Sequence, residues 1–369
     1  MMTYNRPIEG LLLLTALLLS VACNNSPTYQ EETLKENVLS EAEPLHSEIV
    51  ALPDTLFEAA KRFYVYHDSM LIALNDKREN AFFIDVYDVA TFEKTASFYR
   101  YGNGNGEMLS ASVMMNGHTA FINDFMKAQY AFIPLDRLKA GQLGEKDIAV
   151  KRHHIHGAPT VAPYKNGVMT ENPYCFYDKS THVKQGVEQG VPRFICPSDD
   201  TELTEDNSYD YNPRNVAVDG RILCKSDGSG FAYARFGQSA IEFYDADLNL
   251  KKIVYGPRQL SIKYSEFSMD GVKQKQVIYD HKIPYSYLAS TCDDDYVYCT
   301  YIGEFFEKET DIEQMKSYIL KYDWEGRLVG CYSTEHYITA LSKGMDKHTF
   351  YASTYNGEGT TILVKLNVK

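Results

Sequence analysis

Phe83–Asp88 reads FIDVYD, and the same phrase returns along the chain. Its copies are Ala131–Asp136 (AFIPLD), Cys175–Asp178 (CFYD), Ile241–Asp245 (IEFYD) and Tyr318–Asp323 (YILKYD), with a looser sixth at Ile362–Asn367 (ILVKLN). Each is a short β-prone run of aromatic and β-branched residues that stops on an aspartate. The aspartate ends the strand because its carboxylate accepts hydrogen bonds from the backbone of the turn that follows. Successive aspartates lie 48, 42, 67 and 78 residues apart, and Asn367 follows after 44. Period-2 alternation around them predicts four strands per unit. In the first unit these are Arg62–Tyr66, Met70–Leu74, Phe82–Asp88 and Lys94–Tyr99; in the fifth, Tyr287–Cys292, Tyr296–Tyr301, Ser317–Asp323 and Leu328–Tyr332.

A four-stranded unit with a base period in the forties predicts propeller blades, since one such sheet cannot cover both of its faces and a ring of neighbours can. The expected fold is all-β: a six-bladed β-propeller of four-stranded antiparallel blades. Only three strands of the last blade follow His336, namely Ile338–Lys343, Thr349–Thr354 and Thr361–Lys365. The fourth is expected from the N-terminus, with Ile49–Phe57 (IVALPDTLF) as the candidate closing strand. Two β-sandwiches are the alternative, and five recurrences of one strand-turn phrase speak against them.

Composition agrees. The 369 residues are 44% hydrophobic and 24% charged, which excludes wholesale disorder. Tyrosine is abundant, 29 against a single tryptophan, as suits extensive sheet. With 37 basic and 50 acidic side chains the net charge is -13, which repels phosphate backbones and argues against nucleic acid as a partner.

The N-terminus carries an address. Arg6 precedes a nine-residue apolar core, Leu11–Leu19 (LLLLTALLL), then Ser20-Val21-Ala22-Cys23. Nine residues are far short of the ~20 that span a bilayer and fit a signal-peptide core instead. Small residues before a cysteine resemble a bacterial lipobox, with Ser20 where leucine is usual. That resemblance implies lipidation of Cys23 and a partner in the membrane itself. The expected domains are a signal peptide (1–22), a flexible tether (23–45) and a propeller (46–369). The expected location is the cell envelope, on the outer membrane, as a monomer. The six cysteines beyond Cys23 are too sparse for a disulfide scaffold and read as buried free thiols.

Lipobox, tether, six blades and the stretch Tyr101-Gly102-Asn103-Gly104-Asn105-Gly106-Glu107 together resemble the TolB-like six-bladed propeller lipoproteins of Bacteroidetes. Members often carry a glycine-rich stretch ending in Gly-Glu there; this chain has Asn105 where proline is usual. The resemblance implies a fold and a location, and transfers no catalytic residue and no cofactor.

Blade strands run up and down. Loops joining second to third strands therefore share a face with the loops between blades, and the Asp turns lie on the other. Long insertions gather on the first face: Tyr101–Ser110, Cys196–Pro213, Gly256–Ile283 and Ile302–Lys316. Cys196–Pro213 holds six carboxylates and no base, whereas Gly256–Ile283 holds five Lys/Arg against three acids. This face is the expected recognition surface, with Asn103, Asn105, Asp199, Asp200, Arg258, Tyr264 and Phe305 as candidate ligand contacts. A peptide, another protein or a glycan would suit it. The expected role is non-catalytic binding or scaffolding, and a carbohydrate-active hydrolase or lyase is the alternative. No nucleophile–base set or metal motif stands out. His154 and His156 share a strand face without a third ligand, and Asp293-Asp294-Asp295 reads as a hairpin turn rather than a calcium site. The glycines of 102–106 lead into no helix that could hold a phosphate.

Overall fold

The computed structural model describes residues 29–53, 60–76, 82–152, 161–164, 167–170, 194–197, 220–237, 239–247, 249–258, 260, 264–267, 276–279, 283–306 and 315–368. The chain enters through β1 (Gln30–Thr33), a one-turn helix α1 (Asn37–Ser40) and β2 (Glu43–Ile49). Blade one follows as β3 (Ala60–Tyr66), β4 (Met70–Asn75), β5 (Phe82–Asp88) and β6 (Lys94–Arg100). Blade two is β7 (Ser112–Asn116), β8 (Thr119–Asp124), β9 (Gln129–Pro134) and β10 (Lys151–Arg152), with helix α2 (Leu135–Lys139) after β9. A smaller sheet, β11 (Val161–Tyr164), β12 (Gly167–Thr170) and β13 (Phe194–Pro197), stands third.

Blade four is β14 (Gly220–Cys224), β15 (Gly230–Arg235), β16 (Ala240–Asp245) and β17 (Leu250–Tyr255). A hairpin of β18 (Tyr264–Phe267) and β19 (Gln276–Tyr279) precedes blade five. Blade five is β20 (Ile283–Cys292), β21 (Tyr296–Phe306), β22 (Ser317–Asp323) and β23 (Leu328–Thr334). Blade six is β24 (Ala340–Lys343), β25 (Thr349–Tyr355) and β26 (Thr361–Val368), completed by β2.

Period-2 alternation has a direct physical use here. Every residue of β4 is buried because the blade is covered on both faces. Met70, Ile72 and Leu74 enter the core shared with Val113 and Ile122 of blade two. Leu71 and Ala73 enter the core shared with Tyr351 and Leu363 of blade six. Tyrosines fill these and the other cores between strands: Tyr99, Tyr130, Tyr233, Tyr287, Tyr298, Tyr301 and Tyr322 are among the largest fully buried side chains. Cys224, Cys292, Cys299 and Cys331 are free thiols, and burial raises the pKa of each, keeping them protonated and unreactive. The side chains of Cys175 and Cys196 lie outside the described residues.

Ring closure by an N-terminal strand is present, but the strand is not Ile49–Phe57. It is β2, antiparallel to β26 from Leu45↔Val368 to Ile49↔Val364, and parallel to β23 at Glu43 and Pro44. An outermost strand holds on by its backbone and buries one face at most, so the polar sequence EPLHSEI serves. Of the apolar run chosen from the sequence, the described residues 50–53 lead inward, where Leu52 joins the core between blades six and one. Asn367 likewise ends no turn; it lies inside β26, opposite His46.

The stretch expected to be a tether is folded from Gln30 onward. β1 adds a fifth, parallel strand to blade four, pairing Gln30↔Lys252 through Thr33↔Tyr255. Glu32 and the Lys252 ammonium are 2.6 Å apart. Leu34 and Leu39 are buried in the core that blades four and five share. Two leucines in a polar run were enough to fasten it, a signal that composition alone conceals.

Candidate functional site

The turn aspartates do what their spacing predicts. Asp88 Oδ1 accepts from the backbone N–H of Ala90 and Thr91 at 2.9 and 3.0 Å. Asp245 Oδ1 accepts from Asp247 and Asn249 at 3.0 and 2.9 Å. Asp323 Oδ1 accepts from Glu325 and Arg327 at 3.1 and 2.9 Å, and the Arg327 guanidinium adds an ion pair at 2.6 Å. Asp178 lies outside the described residues.

Asp136 is the exception. Its strand stops two residues earlier, at Pro134, and the chain turns into α2. Its carboxylate is thus released from capping a turn and reaches across to blade one. Oδ1 accepts the Tyr66 hydroxyl at 2.6 Å, and Oδ2 lies 3.0 Å from His118 Nδ1. Tyr66 Oη is also 2.6 Å from that same nitrogen. The Tyr66 hydroxyl has one proton and gives it to Asp136, so Nδ1 carries the imidazole proton and donates it to this pair. Nε2 takes no part in these bonds. Burial, followed by the bond to Asp136, pushes the Tyr66 hydroxyl far above its ordinary range. The bond from Tyr66 holds the Asp136 carboxyl below its own.

His67 completes the group, stacked on Tyr66 with ring centroids 3.9 Å apart and edge-on to His118 at 5.5 Å. Burial, then the neighbouring Lys139 and His118, lowers its pKa. His67 and Asp68 both sit at positive φ, 49° and 53°, where glycine or asparagine would be the undemanding choice. Such backbone strain is retained only where the surroundings enforce it, and it concentrates at binding sites.

Tyr66, His67 and His118 line one wall of a cavity of about 320 Å³ at the end of the central axis, on the face of the Asp turns. That volume falls at the lower end of small-ligand sites. The cavity is walled by the first turns of blades one, two, five and six. Blade five contributes Asp293, Asp294 and Asp295. Asp293 is spent on structure, accepting from the backbone of Asp295 and Tyr296 at 2.9 and 2.7 Å and from the Tyr298 hydroxyl at 3.0 Å. This is the hairpin turn the sequence predicts. Asp294 accepts from Ser226 of blade four. Blade six contributes Lys343 and Lys347. Asp346 is engaged by His348 N at 2.7 Å and Thr349 Oγ1 at 2.9 Å. The mouth therefore has an acidic wall, Asp294 and Asp295, and a basic and imidazole wall, Lys343, Lys347, His67 and His118.

The floor is closed. Asn116 Oδ1 accepts the Cys292 thiol at 2.7 Å and the Cys224 N–H at 3.3 Å, tying three inner strands together. Below it, between Arg62, Met115, Arg221 and Leu288, a void of about 20 Å³ remains, room for a single water.

The residues expected to bind lie elsewhere. Asn103 and Asn105 are exposed in the loop after blade one. That loop is pinned to blade two by Lys127 Nζ, which donates to the carbonyls of Gly104 and Glu107 at 2.9 and 2.6 Å. Arg258 is consumed by structure: it pairs with Glu36 at 3.3 Å and Glu304 at 3.2 Å, and donates to the Gly303 carbonyl at 3.4 Å. It holds α1 to blade five and is no free ligand contact. Phe305 is 39% exposed at the far end of β21. Asp199, Asp200 and Cys23 lie outside the described residues, as do His154, His156 and the Tyr264 side chain.

These contacts do bear out the predicted sharing of faces, since loops between blades touch loops between second and third strands. They do not bring the candidates together, and the described cavity opens on the opposite face. Sequence reasoning missed Tyr66, His67, His118 and Asp136. Two signals were available: the proline that breaks the Asp phrase at AFIPLD, and a glycine-free His67-Asp68 hairpin.

Among the described residues, no group of three or more His, Cys, Asp or Glu side chains is placed to hold a metal, and no helix is long and apolar enough to cross a membrane. Residues 43–343 match the family described as TolB-like 6-blade propeller-like. No curated protein sequence matches the chain. A solved member of the DUF4221 family from Bacteroides vulgatus aligns over 89% of this chain and 97% of its own, at 9% identity and a TM-score of 0.50. An inferred exported protein of Bacteroides fragilis aligns over 93% and 99%, at 12% identity and a TM-score of 0.50. At these identities the likeness concerns the fold alone.

Proposed function

Since the chain belongs to the TolB-like 6-blade propeller-like family, we propose that it is a non-catalytic recognition module of the bacterial cell envelope, held to a membrane by a lipid on Cys23. Its ligand enters the mouth on the Asp-turn face. The observation that carries this reading is the cavity of about 320 Å³ with acidic side chains from blade five and basic ones from the neighbouring blade six. A rigid ring positions both walls in advance, so little ordering cost falls on binding. The two signs suit a ligand that carries both, a compact zwitterion or a short peptide segment. The lipobox, and one solved structural neighbour described as exported, agree with an envelope location.

A screen of amino acids, short peptides and oligosaccharides against the Cys23→Ser chain tests this by thermal shift and calorimetry. The expected hit carries both charges and loses at least tenfold in affinity in Lys347→Glu and in Asp295→Lys. A hit indifferent to both substitutions would move the site to the insertion-bearing face and end the proposal.

One observation favours a second reading. His118 is oriented through Nδ1 by a carboxylate and a phenol, and among the described residues its Nε2 has no hydrogen-bond partner. That is the geometry of a general base. A hydrolase or lyase acting on carbohydrate would use it so, and turnover abolished by His118→Ala is its signature.

A further inference from the structure

The folded N-terminal segment fixes more than ring closure. β17 leaves the Asp245 turn, so its first residues lie at the Asp-turn face and its last at the insertion-bearing face. β1 is parallel to it, with Gln30 opposite Lys252 and Thr33 opposite Tyr255. The chain therefore meets the body at the outer edge of blade four, on the Asp-turn side. From there it straps the next two blades, with Leu34 and Leu39 buried and β2 shared between β23 and β26. Only six residue steps separate Cys23 from Tyr29. Fully extended, they reach about 20 Å.

We infer that the Asp-turn rim of blade four is set against the lipid headgroups, so that the mouth opens on the membrane-proximal side and the insertion-bearing face points away. The inference rests on lipidation of Cys23, as proposed above, and adds an orientation to it. A tether of 23 residues, as the sequence alone predicts, would let the body tumble freely. The folded strap removes that freedom by fastening the chain within a few residues of the anchor.

The test uses the full lipidated chain in phosphatidylethanolamine–phosphatidylglycerol vesicles with a trace of rhodamine lipid. A donor dye is clicked onto azidophenylalanine in place of Asp247, at the Asp-turn rim of blade four, or of Glu358, in the turn between β25 and β26 on the other face. Energy transfer to the lipid dye should be several-fold stronger from position 247 than from 358. Inserting a long Gly/Ser segment after Ser26 should erase the difference. Equal transfer from both sites in the natural chain, or stronger transfer from 358, overturns the orientation while leaving the anchor standing. Flotation separates the other failure: if the natural chain does not float with vesicles, or Cys23→Ser floats equally well, the lipid anchor fails and the orientation with it.

Discussion

The two faces of the ring are built from the same strands and used differently. On the insertion-bearing face, charged side chains are spent on joining neighbours, as Lys127 pins the glycine-rich loop and Arg258 links α1 to blade five. On the Asp-turn face three aspartates are spent on their own turns, and one, Asp136, is spared to orient Tyr66 and His118. In this repeat the copy that departs from the rule is the one whose carboxylate leaves its own turn and reaches a neighbouring blade. Length of loop is a poorer guide, because long loops also need fastening.

Breaking the ring should abolish both faces at once, and this is the largest effect expected. Replacing Glu43–Ile49 by a Gly/Ser segment leaves the outer edge of β26, and the end of β23 that faces β2, unpaired. Loss of a single cooperative thermal transition is expected by calorimetry, and an unaltered melt would show that closure lies elsewhere. Next comes a reciprocal pair. Asp323→Ala removes two backbone hydrogen bonds and an ion pair, and should cost about 2 kcal/mol in denaturant unfolding while leaving ligand affinity unchanged. Asp136→Ala should do the reverse: little loss of stability, and a loss of about tenfold in binding, or about 1.4 kcal/mol. Similar behaviour of the two would dissolve the distinction between them.

A smaller effect sharpens the same contrast. Glycine at position 67 relieves a positive φ and should stabilise the fold by about 1 kcal/mol while weakening the ligand, the trade expected of strain kept for use. The smallest effect is on pH. Burial lowers the pKa of His67 and of His336 from 6.5. The unfolded chain therefore takes up these protons first, and stability is lost as pH falls from about 6.5 toward the folded values. Asp88, Asp245 and Asp346 have pKa values below 3.8 in the fold, so their contribution is lost only in a second, more acidic window. Thermal melts between pH 7 and pH 3 should show two steps, the first reduced in His336→Gln.

Much of this architecture was legible in the residues. Strand positions in blades one and five were legible because strands covered on both faces read as short apolar runs bounded by turns, as MLIALN of β4 does. The Asp phrase was legible because a turn-capping carboxylate acts within a few residues. What could not be read was anything that depends on residues far apart in sequence. The closing strand was misplaced because an edge strand, held by backbone bonds, needs no apolar pattern. The strap was hidden for the same reason, with only Leu34 and Leu39 to reveal it. Tyr66 and Asp136 are 70 residues apart and meet only because the turns of neighbouring blades share a face. Arg258 looked free because Glu36, its partner, lies 222 residues away.

Site-specific photocrosslinking in living cells compares the two faces directly. A benzoylphenylalanine replaces Met345, an exposed residue of the mouth, or Phe305, an exposed residue of the insertion-bearing face. A defined adduct from position 345, absent from 305 and lost in Asp136→Ala, is the expected result. Adducts from 305 alone, or from 345 irrespective of Asp136, would contradict it.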